Sequence, residues 1–427
     1  MQNSSSRPWT WIPSLHFIGG IPYILVTSIA TMLFKRLGID NADITFFTGW
    51  LFLPWVIRPL WIPIVRCFRS HRWWIIASQL IIGICLASAA FSLKAPHACQ
   101  WVLACFWLTA FCNAIHDTAS QVYYSSILPL EEQNKYLGVS SKSYALSLVT
   151  GQGITLMAVG ILEIYFRQIV PAWRVILVIL SLGMVLSSVY HAYILPSQQN
   201  TEKYRPFTAY ARAAISLMSE KKVLISLLLI LLYNVPKALL SKTSLLFLID
   251  NVSQGGMGLS LPQIGFGQGT IGIAGWVIGG IIGKNILLSG AFHRWKWMMA
   301  LSLVIPNCVY IYMSLWHPTH FGIVCTLLFA EQLGYGFGMA AFTRHVMGFV
   351  SHDTCGQERY DICSAWLALG IMLPNIFSGY LQTSMGYPVF FIVVTFTGIL
   401  TLLLTYFVRD NASLHVNSNH INQQQSY

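Results

Sequence analysis

The amino-acid sequence predicts an all-α membrane protein of twelve transmembrane helices in two six-helix halves. Three observations carry that prediction. Of the 427 residues, 55% are hydrophobic and only 9% charged, against roughly 25% charged in an ordinary soluble domain. Uncharged apolar runs recur from end to end, each matching the ~20 residues a helix needs to cross the hydrocarbon core. A single sizeable polar connector, 196–222, divides those runs six and six.

The first run, 13–34, follows a Trp-rich start and stops at Lys35-Arg36. The second, 44–65, stops at Arg66, and the third, 73–93, lies between Arg72 and Lys94. Runs 99–120, 137–166 and 173–195 complete the first half, bounded by Lys135, Arg167 and Arg174. The second half repeats the pattern with 223–249, 264–288, 297–316, 321–350, 362–384 and 389–408. The domain organisation expected is a bundle over 1–195, a basic linker over 196–222, a second bundle over 223–410 and a disordered tail over 411–427, rich in Asn, Gln and Ser.

Sixteen Lys and Arg residues fall on one side of this arrangement and five on the other, with the linker supplying five of the sixteen. The positive-inside rule then puts both termini and the linker in the cytoplasm. The net charge of +11 is thereby absorbed by the connectors, and no basic stripe with exposed aromatics points to nucleic acid. The nine cysteines include no CxxC pair and read as small apolar residues, not as a disulfide or zinc framework. The start lacks the pattern of a cleavable signal, so the first span is expected to serve as its own insertion signal.

Ionisable and helix-breaking residues inside spans are the candidates for function, because lipid rejects them. Spans one and seven are interrupted at comparable places, Gly19-Gly20-Ile21-Pro22 and Asn234-Val235-Pro236. Such breaks either free carbonyls to face a cavity or simply kink the helix for packing. Asn234, Lys237, Ser241 and Ser244 share one face of span seven. A charge at Lys237 costs on the order of 3 kcal/mol in a span and calls for a substrate anion or an internal carboxylate as partner. Lys242 lies on another face, where snorkelling to the interface explains it. Asp117 in span four and Glu331 in span ten occupy equivalent places and are the candidates for proton coupling, the alternative being a buried hydrogen-bonding role. Glu163 and Asp250 read as interfacial. Arg58 can pair with Asp117, meet an acidic substrate or reach the interface. His16, Tyr23, Tyr144, Gln152 and Gln332 complete the candidate binding residues; Tyr144, Gln152 and Thr155 lie on one stripe suited to hydroxyl and carbonyl groups, while a lone histidine such as His16 also fits a structural hydrogen bond. The glycines of span eight, including Gly265, Gly269, Gly275, Gly279 and Gly283, read as a packing surface. No metal site, cofactor motif or catalytic triad is expected.

Several stretches resemble the AmpG-type muropeptide permeases of the major facilitator superfamily. They are Arg7-Pro8-Trp9-Thr10-Trp11-Ile12-Pro13, Gly19-Gly20-Ile21-Pro22-Tyr23, Phe34-Lys35-Arg36-Leu37-Gly38-Ile39, Leu53-Pro54-Trp55-Val56-Ile57-Arg58-Pro59, His116-Asp117, Thr150-Gly151-Gln152-Gly153 and Ala368-Leu369-Gly370-Ile371-Met372-Leu373-Pro374. The resemblance implies the major facilitator fold and proton-driven import of peptidoglycan fragments, sugar-peptides or amino sugars, across a bacterial inner membrane, with no enzyme activity. The implied partners are that small molecule, protons and membrane lipids, and the implied state is a monomer. The sequence departs from the family where a second acid usually follows in span four, here Gln121, and where span five usually carries arginines, here Ser140 and Ala145. The alternatives are the same fold carrying an acyl-coenzyme A, siderophore or drug-like solute, or a non-transporting sensor.

Overall fold

The computed structural model describes residues 8–67, 70–196, 208, 212, 227–228, 230–289, 292–350 and 356–407, and all regular structure among them is helical. The expected linker falls outside the described residues apart from Pro196, Thr208 and Arg212, and the expected tail lies wholly outside them. The N-terminal set comprises α1 (Pro8–Arg36), α2 (Asn41–Val56 and Arg58–Val65), α3 (His71–Ser92), α4 (Ala98–Ile127), α5 (Glu131–Phe166) and α6 (Ile169–Ile194). The C-terminal set begins with α7 (Val235–Ile249), then α8 (Leu261–Leu288), α9 (Trp297–Trp316) and α10 (Phe321–Val350). The last element, Gly356–Phe407, breaks at Gly386 (φ 74°, ψ 165°) into α11 (356–385) and α12 (387–407).

Among the described residues nine helices are long and apolar enough to cross a membrane, ten when the bent pair of α2 counts as one. One of the nine, Tyr360–Leu403, contains the Gly386 break, and α7 is described over only 15 residues. The described helices follow the expected order, with the seventh seen in part.

Local chemistry explains the irregularities. In α2 the 50° bend falls at Ile57, next to Pro59, which lacks the N–H that would continue the ladder. In α1, Pro22 similarly frees a carbonyl. The Asn113 amide of α4 lies alongside, with its nitrogen 3.1 Å from the Gly19 oxygen and its oxygen 3.2 Å from the Tyr23 nitrogen once oriented to satisfy both. Three helices contain π-helical turns, Leu25–Ile29 in α1, Thr150–Ile154 in α5 and Gly267–Gly272 in α8. The turn in α5 lengthens the repeat, so the stripe expected for Tyr144, Gln152 and Thr155 at α-helical spacing does not run straight through it.

Every described residue with a left-handed backbone, Gly38, His97, Arg167, Gly255, Gly258, His317 and Gly386, lies in a connection from an odd to an even helix. Short left-handed turns of this kind stop a helix and reverse the chain. They gather on one end of the bundle, called below the turn face.

Helices approach closely where glycine permits. A Cβ on Gly275 would lie 2.6 Å from the Phe329 oxygen, and one on Gly283 2.6 Å from the Ala340 Cβ, so the C-terminal part of the α8 glycine stripe packs on α10. Its N-terminal part packs on α5 of the other set, where a Cβ on Gly269 would lie 2.5 Å from the Gly153 Cα. The second seam between sets runs along α2 and α11. There the Gly379 N–H donates to the Thr45 hydroxyl at 3.0 Å, and Phe52 packs with Met372 and Ile376.

Candidate functional site

Two groups of polar side chains, one from each set, border the middle of the bundle. In the N-terminal set the Asp117 carboxylate accepts from the Trp55 indole at 3.4 Å and interacts electrostatically with Arg58, Tyr23 and Tyr144. The Tyr23 and Trp55 rings meet edge to face at 5.7 Å. Gly20 lets Tyr144 approach α1, since a Cβ there would lie 3.3 Å from its ring. Asp117 is half-buried.

Arg58 donates to Gln121 at 3.0 Å and comes within 3.9 Å of Asp361 on α11. The acid that span four lacks at Gln121 is therefore matched by one supplied across the seam. Arg58 does not form an ion pair with Asp117, and at 7% exposure it does not reach the interface.

In the C-terminal set the Lys237 ammonium pairs with the buried Glu331 carboxylate and lies 4.7 Å from the Tyr335 ring centroid. Tyr335 lies near both Glu331 and Tyr23, so it stands between the two groups. Ser241 on the same face of α7 donates to Asn375 at 2.6 Å. The internal carboxylate expected for Lys237 is thus Glu331.

The other candidates are placed apart. His16 packs edge to face on Tyr124 at 5.7 Å, with Nε2 buried and unpartnered among the described residues. Gln152 is buried in the π turn of α5, against α8. Asn234 is buried beside Pro236 with neither amide atom paired among the described residues. Gln332 packs on Gly272 of α8, 3.3 Å from the place of a Cβ there.

One reading of the sequence is corrected and another is refined. Lys242 does not snorkel: it is 1% exposed, has no hydrogen-bond partner among the described residues and stands 6.0 Å from the Phe52 ring of the other set. The α7 helix turns it inward at the seam, where its amine is buried. Asp250 ends α7 at the turn face, as expected, but is buried there: at 3% exposure it pairs with Lys35 at 2.5 Å and accepts from Asn41 at 2.8 Å and from Tyr387 at 2.6 Å. Asn41 also donates to Gln382 at 3.0 Å and accepts from Lys35 at 2.7 Å. This cluster ties α1 and α2 to α7, α11 and α12 on the turn face. Its signal in the sequence was the pairing of opposite charges at the ends of the first helix of each half. Glu163, by contrast, bonds to Arg36 at 2.6 Å and to the Trp173 indole at 2.8 Å near that face.

Residues 14–357 match the Major Facilitator Superfamily family profile. The chain is 21% identical over 417 residues to the "Anhydromuropeptide permease" of Escherichia coli (strain K12), covering 96% of this chain and 81% of that protein. It is 20% identical over 394 residues to "Putative transporter AmpG 2" of Rickettsia typhi, covering 89% and 90%. Among solved structures it resembles a bacterial homolog of the human lysosomal transporter Spinster in an inward-facing, occupied conformation, with TM-score 0.72, 14% identity and coverage of 95% and 97%. It likewise resembles a point mutant of the nucleoside transporter NupG, with TM-score 0.70, 12% identity and coverage of 93% and 99%. The expected fold and the family resemblance both hold: this chain is a multi-pass membrane protein and belongs to the Major Facilitator Superfamily.

Proposed function

We propose that this protein is a secondary active transporter that imports a peptidoglycan-derived muropeptide or amino-sugar fragment with protons across a bacterial inner membrane. The reading is supported chiefly by the convergence of Asp117, Trp55 and Tyr23 from one set with Lys237, Glu331 and Tyr335 from the other. The similarity to proteins named anhydromuropeptide permease and AmpG supports the cargo. In this reading the halves, 1–195 and 223–410, rock about that midplane region as a monomer, with both termini cytoplasmic.

The chemistry follows from charge balance. Lys237 is neutralised by Glu331. A proton arriving on Glu331 removes that counter-ion, and a carboxylate of the cargo takes its place on Lys237. The net charge of the buried site is then the same before and after, which avoids an uncompensated ion in low dielectric. Asp117 offers the second protonation site. Tyr23, Trp55, Tyr144 and Tyr335 supply aromatic faces and hydroxyls for a sugar ring, with Arg58 and Gln152 as further polar contacts. The Lys35–Asp250 cluster closes the turn face, here the periplasmic side, and opens when cargo enters.

The test is uptake of labelled anhydromuropeptide into proteoliposomes under an imposed inward proton gradient. Gradient-dependent uptake, lost in Glu331→Gln and Lys237→Ala, is the expected outcome. Gradient-dependent uptake of another solute, with none of any muropeptide or amino sugar, overturns the cargo. Uptake indifferent to the gradient overturns the coupling.

A further inference from the structure

The transport site leaves one buried cation unexplained. Lys242 is almost wholly buried, and its amine has no hydrogen-bond partner among the described residues. The lysines on either side of it along the bundle are both paired, Lys237 with Glu331 and Lys35 with Asp250. The Phe52 ring lies 6.0 Å from the Lys242 amine, at the outer limit of a cation–π contact. It covers the nitrogen without supplying a counter-charge. A buried amine with no counter-ion is costly, and a membrane helix retains one where it meets an anion at another stage of function.

The height of this amine in the bundle is fixed from both sets. On α7, Lys242 lies five residues beyond Lys237 and eight before Asp250, about 7.5 Å and about 12 Å along the helix axis. On α2, Phe52 lies between Thr45, whose hydroxyl accepts from the Gly379 N–H, and Trp55, which donates to Asp117. The Phe52 and Trp55 ring centroids are 6.1 Å apart. Lys242 and Phe52 thus form a layer between the turn-face cluster and the central polar groups. The layer is shared by the two sets, and Phe52 is held in it by Met372 and Ile376 of α11.

We propose that Lys242 is a cargo-binding residue that receives a carboxylate entering from the turn face, with Phe52 as its cover while that face is closed. The inference rests on the reading of this protein as an importer of muropeptide or amino-sugar fragments, and it narrows the cargo to the sugar-peptide with free carboxyl groups. Separation of α2 from α11 carries the Phe52 ring off the amine and leaves the nitrogen facing the opened seam. The carboxylate of the cargo pairs there first and then passes inward to Lys237. A neutral amino sugar offers no counter-charge to either amine.

Phe52→Cys puts a thiol in place of the cover. Its modification in the full-length protein is compared for two membrane-impermeant thiosulfonates of similar size, one a sulfonate anion and one a trimethylammonium cation. Each rate is taken relative to a free thiol in solution, with the unsubstituted protein as the blank for native cysteines. The anionic reagent should be favoured about tenfold, and adding Lys242→Met, which keeps the stem and removes the charge, should abolish the preference. No reaction at Phe52→Cys, or a preference that survives Lys242→Met, overturns the inference. A second measurement needs no cysteine variant: uptake of anhydromuropeptide with free and with amidated carboxyl groups. Lys242→Met should raise KM for the free acid about tenfold more than for the amide. An equal change in both, which a structural role would give, also overturns the inference. A charge preference lost in Lys242→Met, together with no uptake of any muropeptide or amino sugar by the wild type, overturns the cargo reading instead and leaves the anion site standing.

Discussion

The two seams between the helical sets are built on opposite principles. Along α2 and α11 the contact is polar at its turn-face end, with Asn41, Asp250, Gln382 and Tyr387 joined to Lys35 and with Thr45 bonded to the Gly379 backbone. Along α5 and α8 the contact is backbone against backbone, at Gly153 and Gly269. Water can take over the hydrogen bonds of the first seam as it opens, at a net cost of only about 0.5–1.5 kcal/mol each. The second has no such substitute; its closure depends on the absence of side chains. One seam is therefore set by charge and the other by shape, and they should respond to different perturbations.

The sharpest way to break this contrast is Asp250→Asn. Removing the Asp250 charge leaves the part-buried Lys35 ammonium without its counter-ion, at the low end of the buried-pair range, about 3 kcal/mol, so the closed turn face should lose about 100-fold in population. The rate at which a cysteine placed at Thr45 reacts with a membrane-impermeant maleimide reads this directly; an unchanged rate would remove the cluster from gating. Next is Gly269→Ala, whose methyl meets the Gly153 Cα. Overpacking of this kind costs ~1–3 kcal/mol and should raise the same labelling rate, with no dependence on salt. Adding Gly153→Ala should give less than the sum, because both act at one contact; full additivity would show that the glycines act separately. Thr45→Val removes a single hydrogen bond and should cost about 1 kcal/mol in thermal unfolding in detergent. The smallest effect is expected for Arg36→Ala. Its side chain is 37% exposed, and such a pair contributes less than about 1 kcal/mol; a melting-temperature loss as large as that of Asp250→Asn would contradict the comparison.

The helices were legible because hydrophobic length is a local property. The same holds for Lys237 and Glu331, which stand out as charges that lipid would reject. What stayed hidden depends on which turn of which helix faces another. Lys242 looks like a snorkelling lysine until the orientation of α7 places it at the seam beside Phe52. Asp250 and Lys35 look like interfacial charges until the turn-face connections fold them together. Gln79 gives no signal at all, since an isolated glutamine acquires meaning only through the two histidines it joins, His116 and His191. The π turns are equally silent in the sequence, although both Gly151-Gln152-Gly153 and Gly267-Gln268-Gly269 fall on one.

The Asn113 amide that lies against the interrupted backbone of α1 has a mechanical consequence. A proline break is ordinarily a free joint, yet here the loose peptide groups are stitched to a neighbouring rod that also carries His116 and Asp117. Any flexing of α1 at that point pulls on the stitch and transmits torque to α4. A substitution such as Asn113→Leu would uncouple the two rods, leaving a protein able to bend but no longer obliged to carry its acid along.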